Sequence, residues 1–108
     1  MMSSKLPGME DRFCFRVHKA GGKCILAFCD SVLSGKTLKL GSLDFPVSDT
    51  FYGKECCGAA EILVMLREAD IVNAVGERSV ELLVGNGFAS RECVLMIGDV
   101  PHIQAIRT

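Results

Sequence analysis

The chain has 108 residues, enough for one domain and one core, which excludes a two-domain enzyme. Its 49% hydrophobic and 23% charged residues, with only three prolines, exclude a disordered or collagen-like chain and describe a globular domain able to fold without disulfides. The net charge of −1 gives no overall basic character, yet residues 1–40 carry seven Lys/Arg against three acids (+4), and residues 41–108 carry five against ten (−5).

Residues 1–11 mix Ser, Lys, Pro and Gly without periodicity, which predicts a flexible arm ahead of a single domain over 12–108. Phe13, Phe15 and Val17 alternate with Cys14, Arg16 and His18, the period of a half-buried strand. Gly21-Gly22 then precedes the β-favouring run Ile25 to Cys29, so the two runs are expected to form a hairpin. Asp30 to Gly35 has a capping residue at its start and a glycine at its end, enough for one helical turn. Thr37 to Leu40 and Leu43 to Val47 flank Gly41-Ser42 as a second hairpin, with Pro46 at an edge or a bend.

From Gly58 the pattern changes. Ala59, Ile62, Leu63, Leu66 and Ala69 fall on one face of an amphipathic helix, with Glu61, Arg67 and Glu68 outside it. Asp70 to Val75 reads equally as a joint or a short strand. A second helix is expected from Gly76 or Glu77 to Val84, with Val80, Leu83 and Val84 inward and Gly85 or Gly87 closing it. Cys93 to Ile97 and Pro101 to Arg107, split by Gly98-Asp99, form a last hairpin. The result is an α+β domain: a largely antiparallel sheet built from hairpins, with two helices packed on one face.

No apolar run approaches the length of a membrane span, and no export signal opens the sequence, so a cytoplasmic protein with reduced thiols is expected. The six cysteines include no C-x-x-C pair, so no metal site is expected, nor any cofactor. Cys14, Cys24, Cys29 and Cys93 sit among apolar strand residues and should pack as small hydrophobes. Cys56-Cys57 lies just before the first long helix, where amide dipoles favour a reactive thiolate.

Ser34-Gly35-Lys36-Thr37 has the tail of a phosphate-binding loop, but Asp30 stands where its first glycine belongs and a strand follows it. Gly85-Asn86-Gly87 follows a helix rather than a strand and is no dinucleotide fingerprint. Two clusters hold polar residues that packing does not demand. Asn73, Gly76 and Glu77 lead into the second helix, whose free N–H groups would either receive an anion or be capped by Asn73 or Glu77. His102 and Gln104 share one face of the last strand. Arg12, Arg16 and His18 lie on one face of the first strand, with Lys19 and Lys23 around its turn and Lys36 beyond, and together they form the best basic patch.

The segments CDSVLSGKT (Cys29–Thr37), FYGKE (Phe51–Glu55), NAVGERSVEL (Asn73–Leu82) and IGDVPHIQAIR (Ile97–Arg107) carry a resemblance over about Phe13 to Arg107. In their order and spacing the chain resembles a family of small archaeal proteins, domain of unknown function 424. The resemblance implies a compact α+β fold and an archaeal cytosolic protein, without an established activity. It also implies that Gly35-Lys36, Phe51-Tyr52-Gly53, Asn73 with Gly76-Glu77, and Pro101-His102 with Gln104 belong to the family's pattern. The extension before Met9 and the Cys56-Cys57 pair depart from it.

Three functional readings follow. The first is a binding module for RNA or a ribonucleoprotein, in a translation-related accessory role, whose basic first hairpin meets phosphates. The second is a small-molecule or enzymatic site in which Asn73, Glu77, His102 and Gln104 converge on one cavity. The third is an assembly partner or a homodimer formed through a strand edge.

Overall fold

The alternating first run becomes β1 (Phe13–Ala20), and the β-favouring run becomes β2 (Lys23–Asp30). They pair antiparallel through Gly21-Gly22 in one unbroken register, from Ala20 opposite Lys23 to Phe13 opposite Asp30. This computed structural model describes residues 12–107, so the arm expected over 1–11 lies outside the described residues. A single 3-10 turn, Ser31–Leu33, follows β2. The second hairpin forms β3 (Thr37–Leu40) and β4 (Leu43–Pro46), a separate two-stranded sheet in which Pro46 ends an edge strand.

Two elements between residues 48 and 58 had no strong signal in the sequence. The short helix α1 (Asp49–Tyr52) is opened by Ser48, whose Oγ accepts from Phe51 N at 3.3 Å. The three-residue strand β5 (Glu55–Cys57) then pairs antiparallel with the start of β1. Helix α2 (Ala59–Leu66) follows, its first turn closed by the Glu61 carboxylate accepting from Gly58 N at 3.1 Å. Ile62 and Leu66 point inward as their spacing predicts, whereas Ala69 is buried beyond the end of the helix.

The ambiguous segment resolves as β6 (Ile71–Val75), a central strand parallel to β2. Helix α3 (Glu77–Gly85) buries Val80 and Leu83, and a 3-10 turn at Arg91–Cys93 leads to β7 (Leu95–Ile97) and β8 (Val100–Ile106). The six-stranded sheet runs β5-β1-β2-β6-β8-β7, and every neighbouring pair except β2–β6 is antiparallel.

Because side chains alternate across a strand, the sheet has two distinct faces. On one, Phe13, Leu26, Phe28, Val72, Ala74 and Ile103 pack beneath Ile62, Leu66, Val80 and Leu83 of α2 and α3. Phe13 and Phe28 meet edge to face at 6.0 Å. Each large apolar side chain buried here contributes about 1.5–3 kcal/mol, so this face is the main source of stability. On the other face, Cys14, Ala27, Cys29 and Val75 lie under Val47 and Tyr52, with Leu33, Leu38, Phe45 and Val100 around them. That second cover reaches only over the end of the sheet where β2 and β6 finish.

Two backbone positions fix these layers. Gly53, which ends α1, has φ +87°, and a Cβ there would stand 1.9 Å from the Phe15 carbonyl oxygen, so only glycine lets α1 sit against β1. Gly76, between β6 and α3, has φ +114°, and a Cβ would meet the Asp30 carboxylate at 2.4–2.7 Å. At the opposite end Asp70 ties three strands together. Its Oδ2 accepts from Cys24 N at 2.8 Å, its N–H donates to Cys24 O at 2.8 Å, and its carbonyl accepts from Arg107 N at 2.8 Å.

Candidate functional site

The second face of the sheet is left open toward the β1–β2 turn. By strand alternation and register, the residues on this face are Cys56 of β5, Cys14, Arg16, His18 and Ala20 of β1, Lys23, Ile25, Ala27 and Cys29 of β2, Ile71, Asn73 and Val75 of β6, Val100, His102, Gln104 and Ile106 of β8, and Leu95 and Ile97 of β7. None of them is an acid. The covered end is apolar, and the open end mixes Arg16, His18, Lys23, Asn73 and Gln104 with Ile25, Ile71 and the 67% exposed Ile106.

Helix α1 borders this open area and organises its cationic side. Arg16 Nη1 donates to the Thr50 carbonyl at 3.1 Å. His18 Nε2 lies 2.8 Å from the Phe51 carbonyl, which can only accept, so Nε2 carries the proton. The His18 ring also stacks on Phe51 with centroids 5.0 Å apart and planes inclined by 19°, and Phe51 stands edge-on to Tyr52 at 4.9 Å. Sequence reasoning did not assign Phe51 to the site, because its contact with His18 spans 33 residues. Its only signal was its place in the FYGKE segment.

Asn73 and Gln104 face each other directly across β6 and β8. His102, opposite Val75, sits one step further along the same face, edge-on to Phe45 at 5.3 Å. Burial holds its imidazole below the usual 6.5, favouring the neutral ring.

The polar set drawn from the sequence therefore divides. Asn73, His102 and Gln104 share the second face, but Glu77 begins α3 over the helix-covered face, beside a groove lined by Arg78, Val94, Met96 and Pro101. Gly76 is buried against Asp30. A proton-exchanging constellation of Glu77 with His102 is not assembled, because the sheet stands between them.

The basic set divides as well. Arg16, His18 and Lys23 share the open face, while alternation turns Lys19 to the other side of the hairpin. Arg12 and Lys36 lie at the far end, where β1 begins and β2 has finished. Three of the six candidates thus form the patch.

The start of α3 also differs from expectation. Neither Asn73 nor Glu77 caps it, and no external anion is needed. Asp30, only 8% exposed at the end of β2, accepts from Arg78 N at 3.1 Å, from Ser79 N at 2.8 Å and from Ser79 Oγ at 2.7 Å. Its carboxylate occupies the position where a helix start attracts negative charge. It makes no capping bond to its own 3-10 turn.

The thiols are likewise redistributed. Cys56 and Cys57 lie in β5, just ahead of α2 as expected, but burial, followed by the neighbouring Glu61 charge, pushes the Cys57 thiol up to about 11 instead of favouring a thiolate. Cys93 is exposed on a 3-10 turn instead of packed in a strand. Burial pushes Cys29 up to about 12. Cys56 Sγ stands 3.4 Å from Cys14 Sγ, a pairing that no sequence spacing announced. Among the described residues no cluster of three or more His, Cys, Asp or Glu is placed to hold a metal ion, and no helix is long and apolar enough to cross a membrane.

Comparison with known proteins is consistent with this fold and silent on chemistry. A family model described as a protein of unknown function (DUF424) matches residues 18–108. The crystal structure of an uncharacterized conserved protein from the archaeon Methanopyrus kandleri is similar, with a TM-score of 0.74 and 27% identity, covering 90% of this chain and 94% of that one. No curated protein matches.

Proposed function

The chain belongs to the DUF424 family of proteins of unknown function, and within it we propose a cytoplasmic binding module that takes single-stranded RNA, free or in a ribonucleoprotein, on the open half of its sheet. The observation that carries this reading is the composition of that face: Arg16, His18 and Lys23 on one side, the Asn73–Gln104 amide pair on the other, and no acidic side chain turned to it from β1, β2, β6 or β8. Cations neutralise phosphates, amides read base edges through paired donors and acceptors, and an exposed sheet is a flat platform for unstacked bases. The ring pair of His18 and the 36% exposed Phe51 lies at the border, where a base would stack. Among the described residues, the ion pairs Lys39–Asp44, Lys54–Asp49 and Arg91–Glu81 lie outside the first hairpin, and Arg16 and His18 are held by neutral carbonyls rather than by acids.

Fluorescence anisotropy with a labelled single-stranded RNA of mixed sequence, titrated with salt, tests the proposal. Each phosphate contact adds about 0.7 to the log–log salt slope on a single strand, so Arg16→Glu with Lys23→Glu removes about 1.4 units of slope and most of the affinity. Lys19→Glu, on the opposite face, leaves binding largely intact. Absence of binding, or equal loss from the Lys19 reversal, overturns the reading.

The second face without Glu77 retains Asn73, His102 and Gln104, so a small-molecule role would be one of orientation rather than proton transfer. Self-association would use β7, an edge strand exposing Leu95 (67%) and Met96 (52%), and light scattering of the purified protein checks it.

A further inference from the structure

Three cysteines form a row across three neighbouring strands. Cys56 of β5 is directly opposite Cys14 of β1, which is directly opposite Cys29 of β2. Directly opposed residues in an antiparallel pair have Cβ atoms about 4.5–5.5 Å apart, close to the span a disulfide bridges. The Cys14 and Cys56 sulfurs are already 3.4 Å apart. Forming a bond of about 2.05 Å requires them to close by only about 1.3 Å. Cys56 belongs to a three-residue strand at the sheet edge and is exposed, so it can make that movement.

The row is graded in access: Cys56 is exposed, Cys14 is buried at 4% exposure, and Cys29 is fully buried. Cys57 cannot substitute for Cys14, because as the next residue along β5 it points to the helix-covered face and packs against that core.

We propose that Cys14 and Cys56 are a peroxide-oxidisable dithiol, with Cys56 the sulfur that meets the oxidant and Cys14 the sulfur that resolves it. In the first step the Cys56 thiolate attacks one oxygen of hydrogen peroxide. The O–O bond breaks, an S–O bond forms, and the released hydroxide takes a proton, leaving a sulfenic acid and one water. In the second step the Cys14 sulfur attacks the Cys56 sulfur, an S–S bond forms and the S–O bond breaks. The leaving hydroxide takes the Cys14 proton as a second water. Two thiols are oxidised by two electrons and one peroxide is reduced to two waters. The cross-link joins β1 to the edge strand across 42 residues of chain, which raises the stability of the oxidised form over the reduced one. This inference stands on the thiol geometry alone and is independent of RNA binding.

The test treats the reduced protein with one equivalent of hydrogen peroxide, unfolds it in N-ethylmaleimide and counts labels by mass spectrometry. The six labels of the reduced chain fall by two, no disulfide joins one chain to another, and digestion yields a Cys14–Cys56 linked peptide. Cys56→Ser, at an exposed position that leaves the core untouched, keeps all its remaining thiols, whereas Cys57→Ser still loses two. Cys14→Ser halts the reaction at the first step, and dimedone traps a sulfenic acid on Cys56. A bridge joining Cys56 to Cys57 or to a second copy overturns the proposal, as does a full count of labels after peroxide.

Discussion

Asp30 shows how much a single side chain can hold. Its carboxylate receives three hydrogen bonds from Arg78 and Ser79, all in the first turn of a helix that starts 47 residues later. Hydrogen bonds to a charged acceptor are the strong ones, and a helix cap is worth about 1 kcal/mol by itself, so Asp30→Ala is expected to cost about 3 kcal/mol. Asp30→Asn keeps one acceptor oxygen and costs less. Urea denaturation measures both, and a loss below about 0.5 kcal/mol for the alanine variant contradicts the capping account. The sequence placed an anion at residue 30 and bare N–H groups near residue 77, but not their meeting, because a cap is ordinarily sought next to its helix. His102 supplies a pH signature. Its imidazole is neutral in the fold, with a pKa below 6.5, while the unfolded chain takes up the proton as pH falls through about 6.5. Its contribution is therefore fully present above 6.5 and declines as pH drops toward the folded pKa. Urea midpoints measured across mildly acidic pH should show a steeper decline for the wild type than for His102→Gln.

At the level of elements, legibility followed the range of the interaction that defines each one. The three hairpins were readable because Gly21-Gly22, Gly41-Ser42 and Gly98-Asp99 announce local turns between β-favouring runs. Helix α2 was readable from its apolar period, with Ile62 and Leu66 buried as expected. Strand β6 was not, since Asn73 interrupts a five-residue run whose partners, β2 and β8, are both distant in sequence. Helix α1 has four residues and β5 has three, too short for any period to appear. What fixes α1 is contact rather than propensity. Gly53→Ala forces a Cβ into the Phe15 carbonyl at a φ of +87°, so it should cost about 3 kcal/mol or more and unseat Thr50 and Phe51 from Arg16 and His18. Chemical denaturation gives the first result. Histidine resonances in NMR spectra give the second, with the His18 signals moving toward those of a free imidazole.

Across the whole molecule, the two faces of the sheet divide the work. The helix-covered face holds the larger apolar core, and the other is half closed by α1 and the β3–β4 hairpin and half open. Opening free energies should rank accordingly, because local stability tracks buried apolar contact and shared hydrogen bonding. In native-state hydrogen exchange, amides of Leu26 to Cys29 and Val72 to Val75 should exchange last, since both strands are paired on each side. Those of β3–β4, β5 and β7 should exchange first. Equal protection in β3–β4 and β6 contradicts this layering. The candidate interface occupies the uncovered half, where its side chains need not compete with a core. Individual residues of that half were visible in the sequence by alternation alone. Their assembly into one face was not, because it depends on β6 lying between β2 and β8.

The parallel pairing of β2 with β6 also sets a timetable for biosynthesis. β2 is complete at residue 30, but its second partner begins at residue 71, and β8, which closes the far side of β6, ends at residue 106. At about 10 residues per second, the outer edge of β2 waits roughly 4 s unpaired while the intervening chain is made. A ribosome stalled in that interval holds out a strand with free N–H and C=O groups and an apolar face. Nascent chains of this protein should therefore depend on chaperone protection until the final hairpin emerges.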